Sequence, residues 1–290
     1  NTAIGSQAGT ALTEGTQNAF VGQATGVAVT TGSYNTFVGR ASGASATSAN
    51  SNTGIGHQTL GASGVDATGS NNTAIGRQAL YSNTSAANNT AVGYASMYDN
   101  TTGQFNVASG YLALENNTSG AYNTALGAYA LDGNTTASNN TAVGYQAGYS
   151  NTTNPENTFI GYQSGYSSTG GYNTAIGHTA GYAITSGTGN TALGRLVMSS
   201  GAGVTGGANT GVGNNTLPAL TSGANNSSLG DAALGANTTG SSNTAIGATA
   251  LRFNTTASNN TALGYQSLYA NTTGTGNTSV GSNALDANTT

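Results

Sequence analysis

The chain has 290 residues and a net charge of −4; only 4% of its residues are charged, and it has neither Lys nor Cys. Four cations, Arg40, Arg77, Arg195 and Arg252, are too few for a phosphate-binding surface, which excludes nucleic acid as a partner. The lack of Cys excludes disulfides and thiolate metal sites, and no run approaches the ~18 apolar residues of a membrane span, so no membrane insertion is expected.

Along the chain, Asn-x-x-x-Gly opens a unit at Asn1, Asn18, Asn35, Asn52, Asn72, Asn89, Asn106, Asn123, Asn140 and Asn157. It continues at Asn173, Asn190, Asn209, Asn226, Asn243, Asn260 and Asn277. The spacing is 17 residues, except for 20 before Asn72, 16 before Asn173 and 19 before Asn209. A unit this short cannot bury a face alone and must stack on its neighbours. The pattern therefore predicts one all-β, parallel β-solenoid over residues 1–290, with about seventeen coils at ~4.8 Å per rung and a length of ~80 Å. Both chain ends fall inside the repeat, and the expectation is a fragment of a longer fibre.

Positions are numbered here from the Asn of each unit. Positions 2 to 4 (Thr-Ala-Ile/Val/Leu) predict a short strand, with Thr and the aliphatic residue on one face and Ala on the other. The aliphatic side chain at position 4 is expected to point into the coil. Gly at position 5, as in Gly144, Gly161 and Gly264, reads as a corner that needs positive φ or close backbone approach. Positions 7 to 9 predict a second strand, which ends on Leu or Met in eleven units and on Gly in the other six. Asn at position 1, as in Asn140, Asn157 and Asn260, is expected to form an amide ladder. Thr at position 13, missing only at Gly64 and Ala202, is expected to form another. The longer units, 52–71 and 190–208, are expected to carry small bulges. So thin a core calls for lateral association, for which the small residues at position 3 and the leucines at position 9 are the candidates.

Motifs such as NTAVGYQAGYSNTT (140–153) and NTALGYQSLYANTTG (260–274) resemble repeats of phage tail fibres and large bacterial surface proteins. They are also similar in style to the head repeats of trimeric autotransporter adhesins. The resemblance implies a left-handed parallel β-roll, commonly trimeric, used as the shaft or adhesive head of an extracellular appendage on a cell or virion. Its partner would be itself, as a homotrimer or filament, together with a surface glycan or receptor.

Among candidate sites, Glu115 and Asp132 share position 10 in consecutive units, with Asp99 at position 11 one unit earlier. Stacking brings such carboxylates together, in an arrangement open to glycoside hydrolysis, to calcium or simply to a solvated edge. Tyr145, Tyr149, Tyr162, Tyr166 and Tyr182 recur at positions 6 and 10, and Tyr81, Tyr94, Tyr98 and Tyr111 form a second group. Outward tyrosines suit glycan binding, or else stack on one another. His57 and His178 both occupy position 6 but lie seven coils, or about 34 Å, apart and share no metal. The Thr files raise ice binding as a further alternative. Asn-x-Thr triplets at Asn100, Asn134, Asn151, Asn237, Asn254 and Asn271 would be glycosylation acceptors in a secreted eukaryotic protein, or else turn residues that the repeat itself generates. No catalytic, metal or cofactor site is assigned, and the chain is read as a structural protein rather than an enzyme.

Overall fold

The computed structural model describes residues 1–61, 66–199 and 202–290. It divides into two compact units, Asn1–Val143 and Gly144–Thr290. Among the described residues there is no helix, and each unit is a parallel β-solenoid. The first holds β1 (Thr2–Ile4), β2 (Ala19–Val21), β3 (Thr36–Val38), β4 (Thr53–Ile55), β5 (Thr73–Ile75), β6 (Thr90–Val92), β7 (Val107–Ser109), β8 (Thr124–Leu126) and β9 (Thr141–Val143). The second holds β10 (Thr158–Ile160), β11 (Thr174–Ile176), β12 (Thr191–Arg195), β13 (Thr210–Asn214), β14 (Ser227–Leu229), β15 (Thr244–Ile246), β16 (Thr261–Leu263) and β17 (Thr278–Val280).

Each strand starts at position 2, as the sequence predicts. Within each unit, like positions lie beside like: Phe20 beside Phe37, Ala74 beside Ala91, Ala245 beside Ala262. The register holds across both long repeats, with Thr53 beside Thr73 and Thr191 beside Thr210. The bulges expected there fall partly on residues 62–65 and 200–201, and Gly64 also lies outside the described residues.

The two faces of the strand are the reverse of the expectation. Ala at position 3 points inward and is fully buried, as at Ala74, Ala125, Ala192 and Ala245, whereas the aliphatic residue at position 4 lies outside. Ile55 is 41% exposed and Leu229 48%. The interior is so narrow that an Ala methyl fills the strand side of it. The larger side chain comes from position 9 on the opposite wall, where Leu80, Met97, Leu114, Leu234 and Leu251 are fully buried. Positions 3 and 9 are therefore core residues, and neither forms a lateral surface.

Three coils replace Ala at position 3 with Phe, and each of them has Gly at position 9. The pairs are Phe20 with Gly26, Phe37 with Gly43, and Phe159 with Gly165. A Cβ built on any of these glycines would collide with the ring of its partner. The ring occupies the space that Leu fills elsewhere, and total volume is conserved by exchanging residues across the coil. Phe20 and Phe37 stack at 5.7 Å between ring centroids.

The second strand expected over positions 7 to 9 is absent. Two reverse turns take its place. The N–H of position 8 closes the first on the carbonyl of position 5 (Ala250 to Gly247, 3.3 Å), and that of position 12 closes the second on position 9 (Asn237 to Leu234, 3.1 Å). Positions 7 and 9 are left-handed, with φ of 57° at Thr249, 51° at Leu234 and 49° at Leu251. For a leucine this conformation costs about 1–2 kcal/mol. Burying the side chain returns about 1.5–3 kcal/mol, and the N–H gains a partner in the next coil (Leu80 to Ser96 carbonyl, 3.1 Å).

Hydrogen bonds between coils run along every side, not only along the strands. Position 13 bonds to position 13 of the next coil (Thr238 N–H to Thr255 carbonyl, 2.8 Å), and the Thr238 hydroxyl donates to the same carbonyl at 3.0 Å. Position 17 donates back to position 16 of the preceding coil (Ser242 to Ala224, 2.9 Å). The corner Gly at position 5 has φ between 123° and 148°, and a Cβ on Gly230 would lie 2.6 Å from the Gly247 carbonyl oxygen. Gly144, Gly161 and Gly264 are held the same way, with φ of 131–134°.

Candidate functional site

The most regular polar feature is a pair of buried asparagine ladders. At position 1 each amide oxygen accepts the backbone N–H of the next Asn, as in Asn140 N–H to Asn123 Oδ1 (3.0 Å) and Asn173 N–H to Asn157 Oδ1 (2.8 Å). The Nδ2 group closes its own coil on the carbonyl of position 15: Asn260 to Gly274 and Asn243 to Ala257, both 2.8 Å. Every one of these contacts is made away from water, where an unpaired group costs most.

The second ladder, at position 12, went unread in the sequence. Asn117 donates to Asn100 Oδ1 at 2.7 Å, Asn134 to Asn117 Oδ1 at 2.8 Å, and Asn254 to Asn237 Oδ1 at 3.1 Å. Each Nδ2 also reaches the carbonyl three residues on, as in Asn254 to Ala257 at 2.9 Å. Asn-Thr-Thr recurring at one place in the unit was the available signal. All six Asn-x-Thr asparagines named above are fully buried, so a glycan on Nδ2 would break the ladder. They are structural turn residues.

The tyrosines sort into files. Tyr145 and Tyr162 stack at 5.5 Å at position 6, and Tyr162 continues onto His178 at 5.2 Å. Tyr149, Tyr166 and Tyr182 stack at position 10, each step 5.1 Å. In the first unit Tyr81 stacks on Tyr98 at 4.8 Å and Tyr94 on Tyr111 at 5.2 Å. Ring faces inside a file cover each other, leaving edges and hydroxyls to the solvent. Position 6 also gathers most of the cations: Arg40 contacts His57 at 3.0 Å, and Arg77 lies 5.6 Å from the Tyr94 ring centroid. In the second unit Arg195 and Asp231 flank Asn214, whose Nδ2 donates to Asp231 at 2.7 Å.

The structure brings Asp99, Glu115 and Asp132 together. Asp99 N–H donates to the Glu115 carbonyl at 2.9 Å. Partial burial, the Asp132 charge, a hydrogen bond to Asp132 and the charge of Asp99 raise Glu115 to about 7. Asp132 is also raised, by burial, against the lowering effect of its hydrogen bond with Glu115, and its Oδ1 is buried without a hydrogen-bond partner. Burial and mutual proximity thus push both carboxyls toward the protonated form. Among the described residues no group of three His, Cys, Asp or Glu is placed to hold a metal ion. Among the described residues no helix is long and apolar enough to cross a membrane. No family model, curated protein or solved structure matches the chain.

Proposed function

We propose that this chain is a structural and adhesive fibre segment, the shaft or head of an extracellular appendage on a virion or cell, assembled from copies of itself. It works without catalytic residues or cofactor. The observation that carries this reading is the hydrogen bonding between coils on every side. Within each unit, strand, corner, turn and asparagine ladder all tie one coil to the next, so bending a unit must break several ladders together. The repeated Asn-x-x-x-Gly motifs support the same reading by their resemblance to tail-fibre and adhesin repeats. Antibody raised against the purified chain should decorate surface appendages in electron micrographs of the source particle or cell. Label confined to the cell interior would overturn the proposal.

The adhesive part of this reading falls to the exposed tyrosine edges of Tyr145 and Tyr162, with Tyr149, Tyr166 and Tyr182 on the neighbouring file. A glycan would meet hydroxyls and ring edges there, flanked by His178 and Arg195. Tyr145→Ala with Tyr162→Ala should abolish binding on a glycan array while leaving the circular dichroism spectrum unchanged. Undiminished binding would remove this surface from consideration.

A further inference from the structure

We infer that the outer face of the strands, positions 2 and 4, is the surface on which copies of this chain pack side by side. The inference rests on the fibre reading and names its contact. In the second unit the file has six exposed members, Ile160, Leu193, Leu229, Ile246, Leu263 and Val280, with Ile176 and Val212 half-buried among them. In the first, Ile4, Val21, Ile55, Ile75 and Leu126 form an equivalent file. None of the 34 residues at these positions (two in each of seventeen strands) is charged; beside the aliphatic file runs one of Thr, broken only by Ala19, Val107 and Ser227. Charge returns two residues on, at position 6, with Arg40, Arg77, Arg195 and Asp231. An uncharged centre beside a charged and aromatic rim is the layout of a protein–protein contact.

Size favours a second copy as the occupant. Eight strands at ~4.8 Å give the second unit's face a height of ~38 Å, and the stretch from position 17 to position 6 spans at most ~20 Å. The product, ~760 Å², is close to the ~800 Å² that each partner contributes to a standard interface. Within that area the aliphatic file at position 4 runs the height of the unit without a charged residue, and exposed apolar files of this kind mark contact surfaces. In the second unit a sugar would find no hydrogen-bonding side chain at position 4, whereas a second copy offers a matching aliphatic file at the same ~4.8 Å repeat.

The test compares three forms of the full chain by sedimentation equilibrium over a wide concentration range. These are the wild type, Leu229→Glu with Ile246→Glu, and a control with Thr239→Glu and Thr256→Glu, two exposed residues at position 14. Circular dichroism on each checks that the fold is kept. The wild type and the control should sediment as the same multiple of 28.2 kDa, and the face variant as a folded 28.2 kDa monomer. A face variant that keeps the wild-type mass would overturn the assignment of this face and leave the fibre reading standing. A wild type that is monomeric throughout would overturn side-by-side packing itself, as would equal loss of assembly in the control. Neither result bears on appendage labelling, which tests the fibre reading separately.

Discussion

Exchange of volume between positions 3 and 9 gives the sharpest test of how the coil is filled, and Phe37 with Gly43 is the pair to perturb. Phe37→Ala removes a fully buried ring and opens a cavity beside Gly43, at a cost of about 3–5 kcal/mol. Gly43→Leu alone drives its side chain into the Phe37 ring, costing about 1–3 kcal/mol from overpacking. The left-handed φ of 62° at Gly43 adds about 1–2 kcal/mol for any residue other than Gly. Together the two changes rebuild the Ala/Leu arrangement already present at Ala245 and Leu251. The double variant should therefore lose only about 1–2 kcal/mol, so that the two single costs fail to add by about 3 kcal/mol or more. Urea unfolding of all four proteins, followed by circular dichroism and by exchange of amides in residues 35–60, gives the comparison. Additive losses would refute the claim that Phe and Leu occupy one shared space.

Asn243→Ala leaves the buried Asn260 N–H without its 3.0 Å acceptor and removes the donor to Ala257. The expected loss is about 2–4 kcal/mol, read as faster exchange of the flanking amides; an unchanged exchange rate would deny the ladder its role. Glu115 titrates higher in the folded chain, at about 7 against 4.5, so its contribution is favourable at low pH and fades as pH rises from 4.5 through about 7. Converted in full the difference is ~3 kcal/mol, which solvent screening at this partly exposed site reduces to about 1 kcal/mol. Glu115→Gln should therefore stabilise the chain by about 1 kcal/mol in denaturant titrations at pH 8 and by almost nothing at pH 4; equal effects at both would contradict the raised titration of Glu115. Secreted from a glycosylating eukaryotic host, the folded chain should carry no glycan at Asn100, Asn134, Asn151, Asn237, Asn254 or Asn271, as judged by site-resolved peptide mass mapping; glycan on these buried asparagines of folded protein would contradict the second ladder.

Much of the backbone was legible because it depends on residues that recur at fixed positions. Strands at positions 2 to 4, the glycine corner, the position 1 amide ladder and the Thr ladder each follow from one residue type in one register. Which strand face lies inside was not legible from alternation. Period two places Thr and Ile together without saying where the core is, and hydrophobicity pointed the wrong way because, where position 9 supplies Leu or Met, the strand side of the interior takes only an Ala methyl. The clue lay in Phe20, Phe37 and Phe159, whose partners Gly26, Gly43 and Gly165 mark position 3 as facing position 9. The turns over positions 5 to 12 were hidden for a different reason. Left-handed leucines such as Leu80 and Leu234 defy local preference and persist because neighbouring coils hold them. The Glu115 and Asp132 pairing followed directly from the repeat register, whereas the upward shift of both carboxyls depends on burial that spacing does not reveal.

Hydrogen exchange read by mass spectrometry, peptide by peptide, tests most directly whether each coil is bonded to its neighbours on all sides. Residues 230–242 hold only turns and corners, yet the amides of Ala232, Leu234, Thr238 and Ser242 all donate to adjacent coils at 2.8–3.0 Å. Their protection should match that of the strand peptide over 243–247. Exchange of 230–242 at the rate of an unfolded chain, with protection confined to three-residue strands, would contradict the account.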